Sequence, residues 1–262
     1  MYDWPEVESA LDRFWSGVRD RLRDQRVAAP EALSRGRLLG DHWADPDLVV
    51  GQVCSLNPVR EGVGTVVPVG TLHYEAPAGL PACGPGDYYS VIVCRADDRR
   101  GRAADLTAFA GARVAANGTD SQSGYWSLGH ELHGLVGDAP LLGPCRFTGS
   151  HRASIRSIAA GEADLGAIDV HSWRLALEHE PAARSLAVVA TTAPTPGVVC
   201  VTAAASAGNV DAIAVALADA STDLAGPDAE ALQLVGFRRR AIADFDVVAQ
   251  RVAVAARRPW HA

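Results

Sequence analysis

Three short stretches place groups able to hold an anion at junctions between strands and helices. The first is GTDSQSGYWSL, residues 118–128. It sets Thr119, Ser121, Ser123 and Gly124 just ahead of an apolar rhythm carried by Tyr125 and Leu128. A strand reads up to Asn117, and a helix reads from about Ser123. A helix N-terminus presents free N–H groups and a partial positive charge. Ser121 and Ser123 add hydroxyl donors, and Gly124 lets an anion approach the backbone. The stretch suits phosphate, phosphonate, sulfonate or carboxylate. The competing reading is that Ser121 or Ser123 only caps the helix.

The second stretch is TGSH, Thr148 to His151, again at a loop-to-helix junction. Ser150 or Thr148 can cap, and His151 can donate to an oxyanion near neutral pH. The alternative is a surface histidine on a first helical turn. The third is Asp169, at the end of the apolar strand in DLGAIDVHSW. A lone carboxylate there is costly unless paired or solvated. It either receives an ammonium or hydroxyl from a ligand or caps a helix starting near His171. Tyr2, Trp43, Tyr74, Tyr88 and Tyr89 also lie near strand ends, and Tyr88 shares a strand face with Ser90. Such aromatics suit a ligand wall, although plain packing is the better reading of each alone.

Some chemistry is excluded. In GHELHG two residues, not three, separate His130 from His133, so the zinc-protease spacing is absent. There is no G-x-S-x-G elbow and no clear dinucleotide fingerprint. All 24 basic residues are Arg, which rules out a Schiff-base lysine and a P-loop lysine. The 5 cysteines are scattered with no C-x-x-C pair, so neither a disulfide framework nor a zinc site is expected. No cofactor and no metal are expected. A formal charge of -7 without a basic excess argues against nucleic acid. No apolar run approaches the ~20 residues of a membrane span.

The elements that position these groups follow from periodicity. Asp3 and Glu6 have capping-box spacing, Pro5 suits a first turn, and Val7, Leu11, Phe14, Trp15, Val18 and Leu22 recur on one helix face. Leu38 to Gly70 reads as irregular, apart from a short strand around DLVVGQVCSL. GDYYSVIVCRAD and ARVAAN read as strands. The helix after Ser123 carries Tyr125, Leu128, Leu132 and Leu135 on one face. FTGSHRASIRSIAAGEADLGAIDVHSW reads loop, helix, glycine stop and strand, with Gly161 past the helix end. SLAVVATT and VVCVTA read as strands; NVDAIAVALADA and FDVVAQRVAVAA read as helices. Alternation of this kind is α/β with mostly parallel sheets. Gly/Pro-rich segments near 76–87 and 193–197 divide the 262 residues into an outer lobe, 1–86 with 193–262, and an inserted middle lobe, 87–192.

Taken in order, SQSG after a strand, TGSH starting a helix and GEADLGAID ending a strand resemble the phosphonate/phosphite/phosphate-binding proteins of ABC transporters. DYYSVIV before them and TTAPTPGVV after them are similar to that family's hinge-side strands. MYDWPE and WADPDLVVGQVC are weaker matches. The resemblance implies a two-lobed type 2 periplasmic-binding fold with a hinge. It implies that Ser121, Gln122, Ser123 and Gly124 bind a small oxyanion ligand and that His151 adds a donor. Asp169 is then expected to face the far end of the ligand, where the family can hold an amine, and Tyr88, Tyr2 and Trp43 to line the other wall. An ABC permease is the implied partner. The start MYDWPEVESALDRFW has neither the basic nor the apolar region of a secretory leader and little room for a first strand. The expectation is therefore an extracytoplasmic importer component if a leader has been removed, and a cytoplasmic binder of the same fold as the sequence is written. The alternative is a cytosolic biosynthetic enzyme on this fold, using His151 and Asp169 as acid and base.

Overall fold

The computed structural model describes residues 2–36, 39–57, 64–103, 105–136, 141–257 and 261. The chain divides into two compact units. The first comprises Met1–Glu75, Gly84–Asp87 and Pro196–Asp246; the second comprises Ala76–Cys83, Tyr88–Thr195 and Val247–Ala262.

In the first unit, helix α1 (Glu8–Asp24) buries Ala10, Trp15, Val18 and Leu22. It follows a single turn with Pro5 at its start, but the expected capping box does not form. Arg35 instead takes both carboxylate oxygens of Asp3 and also bonds Asp12. A forked, charge-assisted pair outcompetes a cap. After α2 (Leu39–Trp43) comes β1 (Gly51–Val53), then the nine-residue β2 (Val66–Tyr74). β2 starts inside the stretch read as irregular, because Pro68 and Gly70 are poor strand residues. The structure accommodates Pro68 at a bulge, where the register against β10 (Val199–Ala203) shifts from Gly70↔Cys200 to Pro68↔Val201. β11 (Leu234–Arg239), which the sequence pattern does not reveal, completes a sheet of order β1-β10-β2-β11, antiparallel throughout. Helices α6 (Val210–Thr222) and α7 (Gly226–Leu232) pack on α1, and Val53, Val199, Val201 and Phe245 form a core cluster.

The second unit holds a five-stranded sheet. Its strands are β4 (Ser90–Arg95), β5 (Val114–Ala116), β6 (Cys145–Phe147), β7 (Leu165–Asp169) and β8 (Leu186–Thr191), in the order β6-β5-β7-β4-β8. β5 runs parallel to β6 and β7, whereas β4 runs antiparallel to β7 and β8. The fold is α/β, but its sheets are not mostly parallel: the first is antiparallel and the second is mixed. Alternation in sequence orders the elements without stating strand direction, and a fully buried strand such as β4 reads alike in either direction. Helices α3 (Ser127–Val136), α4 (His151–Ala159) and α5 (Val170–His179) cover the sheet, and Ile92, Phe109, Leu128, Leu132 and Leu165 are fully buried. Leu135, expected on the buried face of α3, is 53% exposed. Gly161 has φ 75°, as a residue just past a helix end requires. Helix α8 (Asp246–Ala255) and residues 76–83 group largely with this unit and not with the outer lobe expected from the Gly/Pro-rich boundaries. Arg251 donates to the Ala193 carbonyl, and the Tyr89 hydroxyl donates to the Pro81 carbonyl. The strands β3 (Asp87–Tyr88) and β9 (Thr195–Pro196) pair where the chain passes between the units.

Gly70 sits where β2 meets β11. A Cβ there would lie 2.3 Å from the Arg238 carbonyl oxygen and 2.3 Å from the Phe237 ring. Gly70→Ala is expected to lower the unfolding free energy by about 1–3 kcal/mol. Gly236→Ala, with nothing within 4 Å, is expected to cost far less. Urea unfolding of both variants checks the contrast.

Candidate functional site

Every polar group of the candidate site lies in the second unit, at one edge of its sheet. β5 ends at Ala116, and the chain turns into α3 through Gly118–Trp126. Ser121 adopts an extended conformation and its Oγ accepts the Gly124 N–H at 3.0 Å, which makes it the cap. The first turn is wider than an α-turn. Trp126 N–H donates to the Ser121 carbonyl at 3.3 Å, and Ser127 N–H donates to the Gln122 carbonyl, both across five residues. Such π-turns concentrate at functional sites. Gly124 leaves room for the Asn117 side chain, whose Oδ1 a Cβ would meet at 2.6 Å. The Trp126 indole N–H closes the loop on the Thr119 carbonyl at 2.8 Å.

The start of β4 reaches this turn from the other side. The Tyr88 hydroxyl donates to Gln122 Oε1 at 2.7 Å, and Ser90 Oγ donates to the Ser123 carbonyl at 2.8 Å. Ser127 Oγ donates to the same carbonyl at 2.7 Å. Thr192 Oγ1 accepts the Ser90 N–H at 2.9 Å. Ser90 pairs in register with Asp169 at the end of β7. An antiparallel β4 is thus what brings its first residues to the edge where β5 and β7 end.

The third contribution comes from α4. Ser150 caps it, accepting the Ala153 N–H at 3.2 Å. Thr148 Oγ1 donates to the Ala116 carbonyl at 3.0 Å, tying the loop to β5. His151 is the first helical residue, and its side chain is only 10% exposed. Its Nε2 lies 3.0 Å from Ser123 Oγ and 3.1 Å from Asp169 Oδ2. Asp169 Oδ1 accepts the N–H groups of His171 at 3.1 Å and Ser172 at 2.9 Å. Of the two readings left open for Asp169, the helix cap is therefore realised, and its second oxygen faces His151. Burial lowers the affinity of His151 for a second proton, against the opposing pull of Asp169. Burial also pushes His171 down to about 3.

The structure thus brings together Ser121, Gln122, Ser123, Gly124, His151, Asp169 and Tyr88. It uses the other two expected residues inside the first unit. Tyr2 packs edge-on against Tyr74 with ring centroids 5.3 Å apart, and Trp43 packs on the Val53, Val199, Val201 and Phe245 cluster. Among the described residues no group of three or more His, Cys, Asp or Glu is placed to hold a metal ion. Glu131 of GHELHG accepts the Ala193 N–H at 2.7 Å and so ties α3 to the segment before β9.

The sequence model for the periplasmic substrate-binding proteins of phosphonate ABC transporters matches residues 70–246. The chain belongs to that family. It is a solute-binding protein for a small anionic ligand, on a two-lobed fold. Solved structures agree on the fold at low identity. XAC2383 from Xanthomonas citri bound to chloride has TM-score 0.68 at 20% identity, covering 98% of this chain and 95% of its own. PhnD1 from Prochlorococcus marinus in complex with methylphosphonate has TM-score 0.67 at 14% identity, covering 93% and 92%. A binding protein component of an ABC phosphonate transporter from Pseudomonas aeruginosa has TM-score 0.66 at 14% identity, covering 94% and 82%. No curated protein matches the sequence. Among the described residues no helix is long and apolar enough to cross a membrane.

Sequence reasoning missed Ser127, Thr192 and Asn117 as parts of this site. Ser127 had a signal, since it follows Ser123 by four residues on a helix. Thr192 had none, because it meets Ser90 only through the pairing of β8 with β4.

His151 and His171 together predict an acid sensitivity. A buried neutral histidine takes up its proton on unfolding, so the unfolded chain binds more protons between the unfolded value near 6.5 and the lower folded value. Stability is then present above about pH 6.5 and is lost as pH falls. For His171 the loss between pH 7 and pH 5 is about 2 kcal/mol. Chemical unfolding at the two pH values measures it, and His171→Gln is expected to flatten the slope.

Proposed function

We propose that this protein captures an oxyanion of the phosphonate, phosphite or phosphate type at the edge of the second unit's sheet and serves an ABC importer outside the cytoplasm. The observation that carries this is the meeting of two helix starts on one strand edge. The turn Ser121–Gly124 and the first residue of α4, His151, converge with Ser123 Oγ and His151 Nε2 at 3.0 Å. Ser121 and Ser123 offer hydroxyls and the Gln122 and Ser123 backbone N–H groups face the oxyanion, the Gly124 N–H being held by Ser121 Oγ; His151 completes the wall, and Tyr88 orients Gln122. Asp169 supports the site from behind, because its oxygens already serve His151, His171 and Ser172. The methylphosphonate in the Prochlorococcus marinus relative belongs to the same ligand class. A permease of the importer is the partner that the family implies.

The geometry argues against the enzyme alternative. A serine hydroxyl 3.0 Å from an imidazole nitrogen is the spacing of a Ser–His nucleophile pair. In such a pair the carboxylate sits on the opposite ring nitrogen and leaves the serine-facing one free to accept a proton. Here Asp169 occupies the same Nε2 that faces Ser123. When Nε2 carries the hydrogen that this carboxylate accepts, it has no lone pair with which to activate the serine. The protein binds its ligand without transforming it.

Thermal unfolding against a panel of phosphate, phosphite, alkyl and aminoalkyl phosphonates, sulfonates and carboxylates tests the reading. A cognate ligand at 100 times its dissociation constant is expected to add about 2.7 kcal/mol. Ser121→Ala/Ser123→Ala is expected to abolish that shift. A panel with no shift for any phosphorus oxyanion overturns the assignment, and a shift confined to carboxylates reassigns the ligand class.

A further inference from the structure

We propose that Asp169 acts through His151 to commit the Ser123 hydroxyl as a hydrogen-bond donor to the bound oxyanion; this rests on the oxyanion reading above. An ionised carboxylate has no hydrogen to give, so the 3.1 Å contact between Asp169 Oδ2 and His151 Nε2 requires the hydrogen to sit on Nε2. Ser123 Oγ lies 3.0 Å from that same nitrogen and therefore faces an N–H, to which it offers a lone pair. Its own hydrogen is left to point elsewhere, and no other partner for Ser123 Oγ occurs among the described residues. The rest of Ser123 is held still: its carbonyl accepts from Ser90 and Ser127, and the residue is 7% exposed. His151 Nδ1 is buried and makes no hydrogen bond of normal geometry, although the Ala167 carbonyl lies close enough to favour a protonated ring.

The polarity of the chain Asp169–His151–Ser123 has a consequence for selectivity. A Ser123 that can only donate toward the ligand rewards acceptor oxygens and disfavours a ligand hydroxyl or ammonium at that point. Asp169 is thus a positioning residue for Ser123. It does not itself hold the amine that the family resemblance assigned to it.

Asp169→Asn separates this role from the helix cap. Asparagine is as good a cap as aspartate, so its oxygen keeps the His171 and Ser172 N–H groups and the fold. Its amide now presents hydrogens to Nε2, and the imidazole turns to the Nδ1–H form. Nitrogen-15 NMR of the ligand-free protein, with His151→Gln as the assignment control, reads the tautomer directly. The expected result is Nε2–H in the parent and Nδ1–H in Asp169→Asn. Calorimetric titration with methylphosphonate is expected to show affinity falling about tenfold or more in Asp169→Asn, as for loss of a hydrogen bond to a charged group. Asp169→Asn/Ser123→Ala is expected to bind no worse than Ser123→Ala alone. Additive losses in the double variant overturn the relay. An Nδ1–H imidazole in the parent, turned to the Ala167 carbonyl, also overturns it. Absence of binding by the parent overturns the oxyanion reading and leaves the tautomer result standing by itself.

Discussion

The carboxylate of Asp169 is the constraint around which the second unit's site is arranged. Its side chain is 4% exposed, and an unpaired charge at that depth costs several kcal/mol. Two backbone N–H groups from the start of α5 and one imidazole nitrogen from the start of α4 meet it. Those three donors come from two helices, so satisfying one residue fixes where both helices begin. The Ser123 hydroxyl then falls beside the same imidazole, which places the start of α3 as well. The cost of burying one charge thus sets the relative positions of three helix N-termini.

The mixed direction of the sheet is the second half of this arrangement. In an all-parallel sheet, the start of a strand lies at the edge opposite the strand ends. Because β4 runs against β7, Ser90 stands in register with Asp169, and Tyr88 just before it reaches Gln122. The one segment Tyr88–Ser90 then anchors a turn more than thirty residues further along the chain. Gln122 is held by its side chain and Ser123 by its carbonyl, so the turn is fixed from within the protein.

Much of this is legible in the residue pattern alone, and the parts that are not share a cause. α4, Gly161 and β7 follow from apolar period and a single glycine, because each is decided within about ten residues. The cap on α1 fails because Arg35, more than thirty residues away, offers Asp3 a stronger partner. β2 is hidden by Pro68, which is tolerable only beside a bulge whose partner, β10, lies far along the chain. The direction of β4 and the role of Thr192 are likewise settled by distant segments. Asp169 shows the limit most plainly. Its residue type and place at a strand end raise both a ligand role and a capping role, and only the positions of His171 and Ser172 show that the cap forms.

The donors assembled here are neutral, and that bears on how an anion is discriminated. No arginine is among the hydrogen-bond partners described for Ser121, Ser123, His151 or Asp169, and the chain has no lysine at all. A fixed guanidinium attracts anions of any shape through its net charge. Hydroxyl and N–H dipoles at a helix start offer attraction that falls away within a turn and depends on direction. Asp169 adds a negative charge behind His151. Under the proposed oxyanion reading, selection rests on how many oxygens a ligand can align with fixed hydrogens. A tetrahedral oxyanion satisfies that requirement from several helix starts at once, whereas a spherical halide aligns with fewer of them.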